Sequence, residues 1–281
     1  MNQNANISSQ SIIERQLEED EKRLQEEEQD LGFNPLVLYF GDDFSIANGK
    51  ITIRQPVIQD YLTYGEDVIT TAILPFVSNR TSMRLQLWNI GIDWNKIKEA
   101  ELLLWLFKSS NPQCTQIIFG DVDFRKFELQ AAVNDQNEEE VILYNSEQEI
   151  VLLPKDQQLI CHFIQHMFHR FPPEEEFTSS KQLKRDLINR DRQKIIADKM
   201  ALKQYKGSNI LSLISFCLNH PGFKYKKDEL RNVGIYEFMD SVNRLNIYEY
   251  TRALHNGRFS GMCDLSKIDK NEFNFMRDIS A

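Results

Sequence analysis

Hydrophobic and polar positions alternate over short stretches in the first half of the chain, a pattern typical of β-strands. The clearest case is residues 44–54, which alternate on both sides of Asn48-Gly49, a dipeptide favoured in tight hairpin turns. A hairpin here places Ile46, Ile51 and Ile53 on one buried side. Short apolar runs predict further strands at residues 35–40, at 115–124 around a Gly120-Asp121 turn, and in a hairpin over 141–153.

Apolar residues at helical spacing separate these predicted strands. Gln55-Pro56 indicates the start of a helix, with proline at its first position and an end at Gly65. The same periodicity continues over residues 66–75, 81–91 and 96–110. Four apolar residues of the last segment recur at the spacing of a core-facing helix: Leu102, Leu103, Leu106 and Phe107.

The second half of the chain contains only helical patterns, at residues 154–171, 180–206, 208–223 and 236–257. The complete pattern predicts the α+β class: a small, mostly antiparallel sheet with a helical insertion, followed by an all-α C-terminal half. The expected domains are listed in chain order: an acidic N-terminal tail or helix (1–31), an α+β domain (32–153), and a helical domain (154–281) with a basic helix at 180–206.

The closing segment has the signals of a helix, a turn and a last short helix. Asn256-Gly257 predicts the end of the long helix, and Gly261 is expected to set the fold-back. Asp269, with Glu272 three residues later, has the spacing of a capping box. Phe273 and Met276 are expected to fasten the last helix onto the helical domain. We therefore interpret Gly257, Gly261, Phe273 and Met276 as structural residues.

Charge is unevenly distributed along this 281-residue chain, whose formal net charge is -9. Residues 1–31 hold nine acidic and three basic side chains, whereas residues 177–207 hold nine basic and three acidic ones. The overall acidity argues against a nucleic-acid-binding protein. The asymmetry indicates either a tail that docks on its own chain or two surfaces for partners. Hydrophobic residues make up 41%, enough for a sizeable core.

The sequence also bears on cellular location. No apolar run approaches the ~18 residues of a membrane helix, and the first residues lack the apolar region of a signal peptide. The cysteines are widely spaced and form no Cys-x-x-Cys pair, which predicts free, mostly buried thiols in a reducing cytoplasm. They are Cys114, Cys161, Cys217 and Cys263.

Three regions are candidates for protein interaction. The tryptophans Trp88, Trp94 and Trp105 lie in one predicted helix-turn-helix, which is either core or an aromatic anchor. The basic helix, with Lys184, Arg185 and Arg192, is a solvated helix, a dock for an acidic protein surface or a nucleic-acid surface. The acidic N-terminal segment, with Glu18 and Glu19, is a solvated helix or a docking helix for a basic partner.

Evidence for chemistry is weaker. His162, His166 and His169 share one helix face, exposed opposite an apolar one, and such spacing can bind a transition metal. No glutamate follows His162 as in a metalloprotease helix, and a polar helix face explains the pattern better than a metal site does. Asp121 and Asp123 are explained by a turn. The sequence has no Walker-type loop, nucleophile elbow or dinucleotide-binding glycine motif, so we expect neither enzyme activity nor a cofactor.

Four blocks of sequence resemble a known group of proteins. They are residues 51–67, 87–103, 219–242 and 257–279. The set is similar to proteins encoded in the late structural modules of tailed bacteriophages of low-GC Gram-positive and gut bacteria. The resemblance covers roughly residues 32–279 and leaves out the acidic N-terminus. Members of this group are regarded as tail-assembly chaperones or minor virion components, so the resemblance carries over no catalytic residues.

The expected function is therefore a non-enzymatic role in particle assembly. A tail-assembly chaperone would bind a tape-measure or tube protein through helical and charged surfaces in the host cytoplasm, and an oligomer is compatible with this role. A permanent connector, tail or baseplate subunit of the virion is the first alternative. A metal-dependent enzyme that uses the His162, His166 and His169 face is the second. Neither membrane nor nucleic acid is an expected partner.

Overall fold

The computed structural model describes residues 32–133, 139–204, 208–260 and 267–279. The first element is a helix, α1 (Pro35–Phe40), so the prediction of a strand over residues 35–40 is wrong. Asn34 Oδ1 accepts the Leu36 backbone N–H at 3.0 Å, and proline occupies the first helical position. This local capping outweighs the β-propensity of the apolar run.

The predicted hairpin around Asn48-Gly49 is confirmed. Strands β1 (Phe44–Ile46) and β2 (Ile51–Ile53) pair antiparallel, with Ile46 opposite Ile51. Ala47, Asn48 and Gly49 all have positive φ angles, of 51°, 55° and 78°, which the tight reversal requires. The three isoleucines are buried, as their alternation predicted.

A cluster of short helices follows: α2 (Ile58–Tyr64), α3 (Glu66–Ile73), α4 (Arg84–Asn89), α5 (Glu99–Lys108) and α6 (Pro112–Phe119). Pro56 is not the first residue of α2, since the helix begins after Val57, whose backbone N–H donates to Asp60 Oδ2 at 2.9 Å. Gly65, with φ 91°, separates α2 from α3 as expected. The four predicted core residues of α5 are buried.

Residues 115–119 form the last part of α6, and a 3-10 turn begins at Phe124 (Phe124–Lys126), so the strand-turn-strand predicted over residues 115–124 is wrong. Asn111 Oδ1 accepts the Gln113 backbone N–H at 3.0 Å, and Pro112 starts the helix. Ile117 and Ile118 are buried on a helix that packs against α3. The apolar run reflected a buried helix face, which periodicity alone does not separate from a strand.

A three-stranded antiparallel sheet has the order β3 (Glu128–Val133), β4 (Glu139–Asn145), β5 (Ile150–Leu152). The β4–β5 hairpin confirms the one predicted over residues 141–153, whereas β3 was not predicted. Helix α7 (Pro154–Phe168) packs on β4 and β5. With the helices that follow, these sheets confirm the α+β class.

The remaining helices are α8 (Lys181–Gln204), α9 (Asn209–Asn219), α10 (Lys227–Leu230) and α11 (Ile235–Ser260). The described residues from Val37 onward belong to one compact unit. The division into domains at residue 153 stays a prediction.

Residues 267–279 pack against α11. This helix runs through Gly257 to Ser260, so the predicted stop at Asn256-Gly257 is wrong. A 3-10 turn (Lys270–Phe273) is capped by Asp269, and Thr251 Oγ1 donates to the Glu272 carbonyl at 3.0 Å. Phe273 contacts the His255 ring, whereas Met276 is 84% exposed and does not fasten the segment. Arg277 does so, through Thr251 Oγ1 at 2.8 Å. Gly261 lies outside the described residues.

Candidate interaction surface

The three tryptophans have different environments. Trp94 is fully buried, and its indole N–H donates to the Glu176 carbonyl at 3.3 Å. Trp105 packs, partly buried, against the same core. Trp88 is 37% exposed, with its ring centroid 6.1 Å from that of Trp94. Trp94 is therefore a core residue. Trp88 is the most exposed of the three tryptophans, and an interface anchor needs such exposure.

Helix α8 is docked on the body of the protein over its first half. Leu187 and Ile188 are buried, and α8 packs against α4. Their shared core includes the following residues: Met83, Leu85, Leu87, Trp94, Ile97, Leu102 and Leu106. Leu187 and Ile188 of this basic helix thus pack against a partner within the chain.

An ion cluster around the buried side chain of Arg84 holds this half of α8 in place. Arg84, whose side chain is only 6% exposed, donates from Nε and Nη2 to the Asp191 carboxylate at 2.5 and 2.7 Å. Its Nη1 donates to Glu176 Oε2 at 2.7 Å. The hydrogen bonds to Asp191 raise the pKa of Arg84, against the effect of burial. Asp191 is the last residue of α8 that this cluster holds.

Lys184 makes a second attachment. Its Nζ lies 2.6 and 2.8 Å from the two carboxylate oxygens of Asp93 and 5.3 Å from the Trp94 ring centroid. Burial acts to raise the pKa of Asp93, but hydrogen bonds from Lys184 and from the Asn95 backbone N–H outweigh it, so this pKa is lowered. Lys184, which the sequence marks as a candidate for partner binding, is therefore an ion-pair partner of the chain's own Asp93.

The extended segment before α8, residues 170–180, is also tied to the body. The Glu176 backbone N–H donates to Thr81 Oγ1 at 2.7 Å, and Asn95 Nδ2 donates to the Thr178 carbonyl at 2.5 Å. Arg80 forms an ion pair with Glu175 and lies over the Phe177 ring. These contacts fix where α8 begins and its direction.

Beyond Asp191 the helix changes character. From Arg192 to Met200 every side chain is exposed, including Ile195 at 36%, Ile196 at 54% and Met200 at 62%. We call residues 192–204 the arm. At roughly 1.5 Å per residue it is about 20 Å long. Arg192 is on the arm, whereas Arg185 is exposed on the docked half.

A cavity of about 410 Å³ lies between α5 and α7, next to the segment 170–180. Leu102, Leu103 and Leu106 contribute to its apolar wall, and Cys161 is also at the cavity. Burial raises the pKa of the Cys161 thiol to about 12, which keeps it protonated near neutral pH. The cavity thus offers apolar contact and no activated nucleophile at that position.

His162 and His166 lie on α7 and His169 directly follows it, and the three side chains have different surroundings. His162 is exposed, as predicted, but the other two are partly buried. His166 meets the edge of Phe171, with ring centroids 5.0 Å apart, and His169 stacks on Tyr236 at 5.1 Å. Burial lowers the pKa of both. Within the described ranges, no three His, Cys, Asp or Glu side chains are grouped to hold a metal ion.

Glu18 and Glu19 lie outside the described residues, so the acidic segment stays a prediction. Sequence analysis did not distinguish the two halves of α8. The signal for this division was Asp191, an acidic residue among basic ones, one helical turn after Leu187 and Ile188.

Among the described helices, none has the length and apolar composition of a membrane span. Comparisons with protein families, curated proteins and solved structures give no match for this chain.

Proposed function

We propose that the protein is a non-enzymatic bacteriophage assembly protein, specifically a tail-assembly chaperone that binds a tail protein through the arm of α8. The observation that supports this proposal is the division of α8. One half is fastened by the Arg84–Asp191 and Lys184–Asp93 pairs, and the other exposes apolar side chains. Clustered exposed apolar residues are typical of protein interaction sites.

The resemblance of four sequence blocks to phage proteins supports the identity of the partner as a tape-measure or tube protein. A helix that is rigid at its base and exposed beyond it suits helix-in-groove or helix-on-helix recognition. The chaperone would act in the host cytoplasm and shield an aggregation-prone surface of the tail protein until assembly. A permanent virion subunit could use the same arm.

Site-specific photo-crosslinking in infected cells tests this function. A photoreactive amino acid replaces Met200 on the arm and, as a matched control, Val151 of β5, which is 38% exposed. We expect a tape-measure or tube protein to be captured from position 200 and not from position 151. Capture of no tail protein, or equal capture at both positions, would contradict the proposal.

Mass spectrometry of purified particles separates the chaperone from the virion subunit. A chaperone is absent from finished particles, so we expect no peptides of this chain. Its presence in a fixed copy number would reassign the protein as a permanent virion component.

A further inference from the structure

We infer that the arm of α8 binds an acidic amphipathic helix of a partner protein. This inference rests on the proposed function, because it takes the arm as the surface on which that partner docks. It adds the chemistry of the partner, which the arm's charge and apolar side chains specify.

The charge of the arm favours an acidic partner. Arg192, Lys194 and Lys199 are exposed and, within the described part of the chain, have no ion pair, while Asp198 is the one acid among residues 192–204. The docked half shows how this helix uses charge, because Lys184 there binds a carboxylate of the body. The arm's bases are complementary to carboxylates from another chain, which favours docking and selects against basic surfaces.

The spacing of the arm's side chains favours a helix as the docked element. Arg192, Ile196 and Met200 follow one another at i, i+4 and i+8, so they form one stripe on the helix. Lys199 lies beside this stripe. A partner helix with apolar residues at i, i+3 and i+4 can cover Ile196 and Met200, and acidic residues flanking its apolar stripe then face Arg192 and Lys199.

Nucleic acid fits the arm less well. Residues 192–204 contain no aromatic side chain on which a base can stack. The apolar Ile196 and Met200 would stay uncovered against a phosphate backbone. An acidic amphipathic helix can form ion pairs with the basic side chains of the arm and cover its apolar ones.

Fluorescence anisotropy on the full-length protein tests this inference. The probe is a labelled synthetic helix of about 20 residues, with leucines at helical spacing and glutamates flanking them. A second peptide carries lysine in place of glutamate, and a third probe is a single-stranded oligonucleotide. We expect the acidic peptide to bind, with affinity that falls as salt rises, and the lysine peptide not to bind.

Variants locate the binding. The double variant Arg192→Glu/Lys199→Glu is expected to weaken binding of the acidic peptide by about tenfold or more, because two attractive charge contacts become repulsive. Ile196→Ser/Met200→Ser is expected to weaken it similarly. Arg185→Glu, on the docked half of the same helix, is the control and should leave affinity within about twofold. Circular dichroism checks that each variant is folded.

Several outcomes would overturn the inference. They are no binding of the acidic peptide, equal binding of the lysine peptide, equal loss in Arg185→Glu, and preferred binding of the oligonucleotide. If the peptide binds only when Glu26, Glu27 and Glu28 are replaced by glutamine, the chain's own acidic segment occupies the arm, and the external partner is refuted. Tail-protein crosslinks at position 200 without peptide binding refute this inference alone. Peptide binding without such crosslinks refutes the proposed function.

Discussion

Removal of the Asp191 carboxylate is the most direct perturbation of the attachment of α8. Asp191 accepts two of the three hydrogen bonds that Arg84 donates to carboxylates, at 2.5 and 2.7 Å. In Asp191→Ala, the guanidinium group stays buried, at 6% side-chain exposure, with Glu176 as its remaining carboxylate partner. The variant therefore leaves a buried charge poorly compensated.

The size of this effect follows from burial. Breaking a buried ion pair from one side costs about 3–5 kcal/mol of unfolding free energy. Glu176 remains, and Asp191 itself is 22% exposed, so water replaces part of what is lost. We therefore expect a loss of about 3 kcal/mol, or roughly 6 °C in melting temperature for a chain of this size.

Chemical denaturation and thermal melts measure the effect, with two further variants. Asp186→Ala removes an exposed acid of the same helix and should change stability by less than about 0.5 kcal/mol. Arg84→Met/Asp191→Ala removes both charges and should recover to within about 1 kcal/mol of the wild type. A loss in Asp191→Ala no larger than in Asp186→Ala would refute the reasoning, as would a double variant less stable than the single one.

Three further predictions concern other parts of the structure. The pKa of Asp93 lies below its ordinary value of 3.8, so the ionised carboxylate contributes fully to stability above pH 3.8 and loses that contribution as the pH falls through the lowered pKa. In acid denaturation, the difference in unfolding free energy between the wild type and Asp93→Asn should therefore shrink over this pH range. Trp94→Ala should cost about 3–5 kcal/mol in denaturant unfolding, whereas Trp88→Ala, at a partly exposed ring, should cost far less; equal losses would contradict the assignment of Trp94 to the core. Gly257→Ala should raise the melting temperature, because alanine stabilises a helix interior by about 0.5–1 kcal/mol relative to glycine, whereas a lower melting temperature would restore the helix end expected from sequence.

Local signals predicted the parts of the fold that local chemistry determines. The β1–β2 hairpin depends on Asn48-Gly49, whose positive φ angles are readily adopted by these residue types. The core face of α5 depends on helical spacing. Both features can be recognised within a dozen residues, and both are confirmed.

The sequence predictions were wrong where one pattern of apolar residues is compatible with two different structures. Short apolar runs at residues 35–40 and 115–124 fit a strand or a buried helix, and the caps at Asn34 and Asn111 decided for helix. Gly257 is a common helix end, but α11 continues past it to Ser260, and the final segment packs on this part of the helix through Thr251 and His255. Such decisions depend on tertiary contacts.

The candidate surface was only partly predictable. The sequence marked the basic helix, but its division depends on Arg84, which lies 107 positions before Asp191. Pairing over this separation cannot be read from local spacing. Another long-range contact, with Asp93, makes Lys184 an internal ion-pair partner, although the sequence marked it as a candidate for partner binding. Residues 192–200 make no such attachment within the described part of the chain and are exposed.

Helix α8 divides at Asp191 into a docked half and an arm whose side chains are exposed from Arg192 to Met200. Hydrogen–deuterium exchange of the full-length protein, resolved to short peptides along α8, tests this division most directly. We predict that amides 184–191 exchange slowly, with the core, and that amides 192–204 exchange orders of magnitude faster in the absence of a partner. Uniform protection along the whole helix would contradict this division.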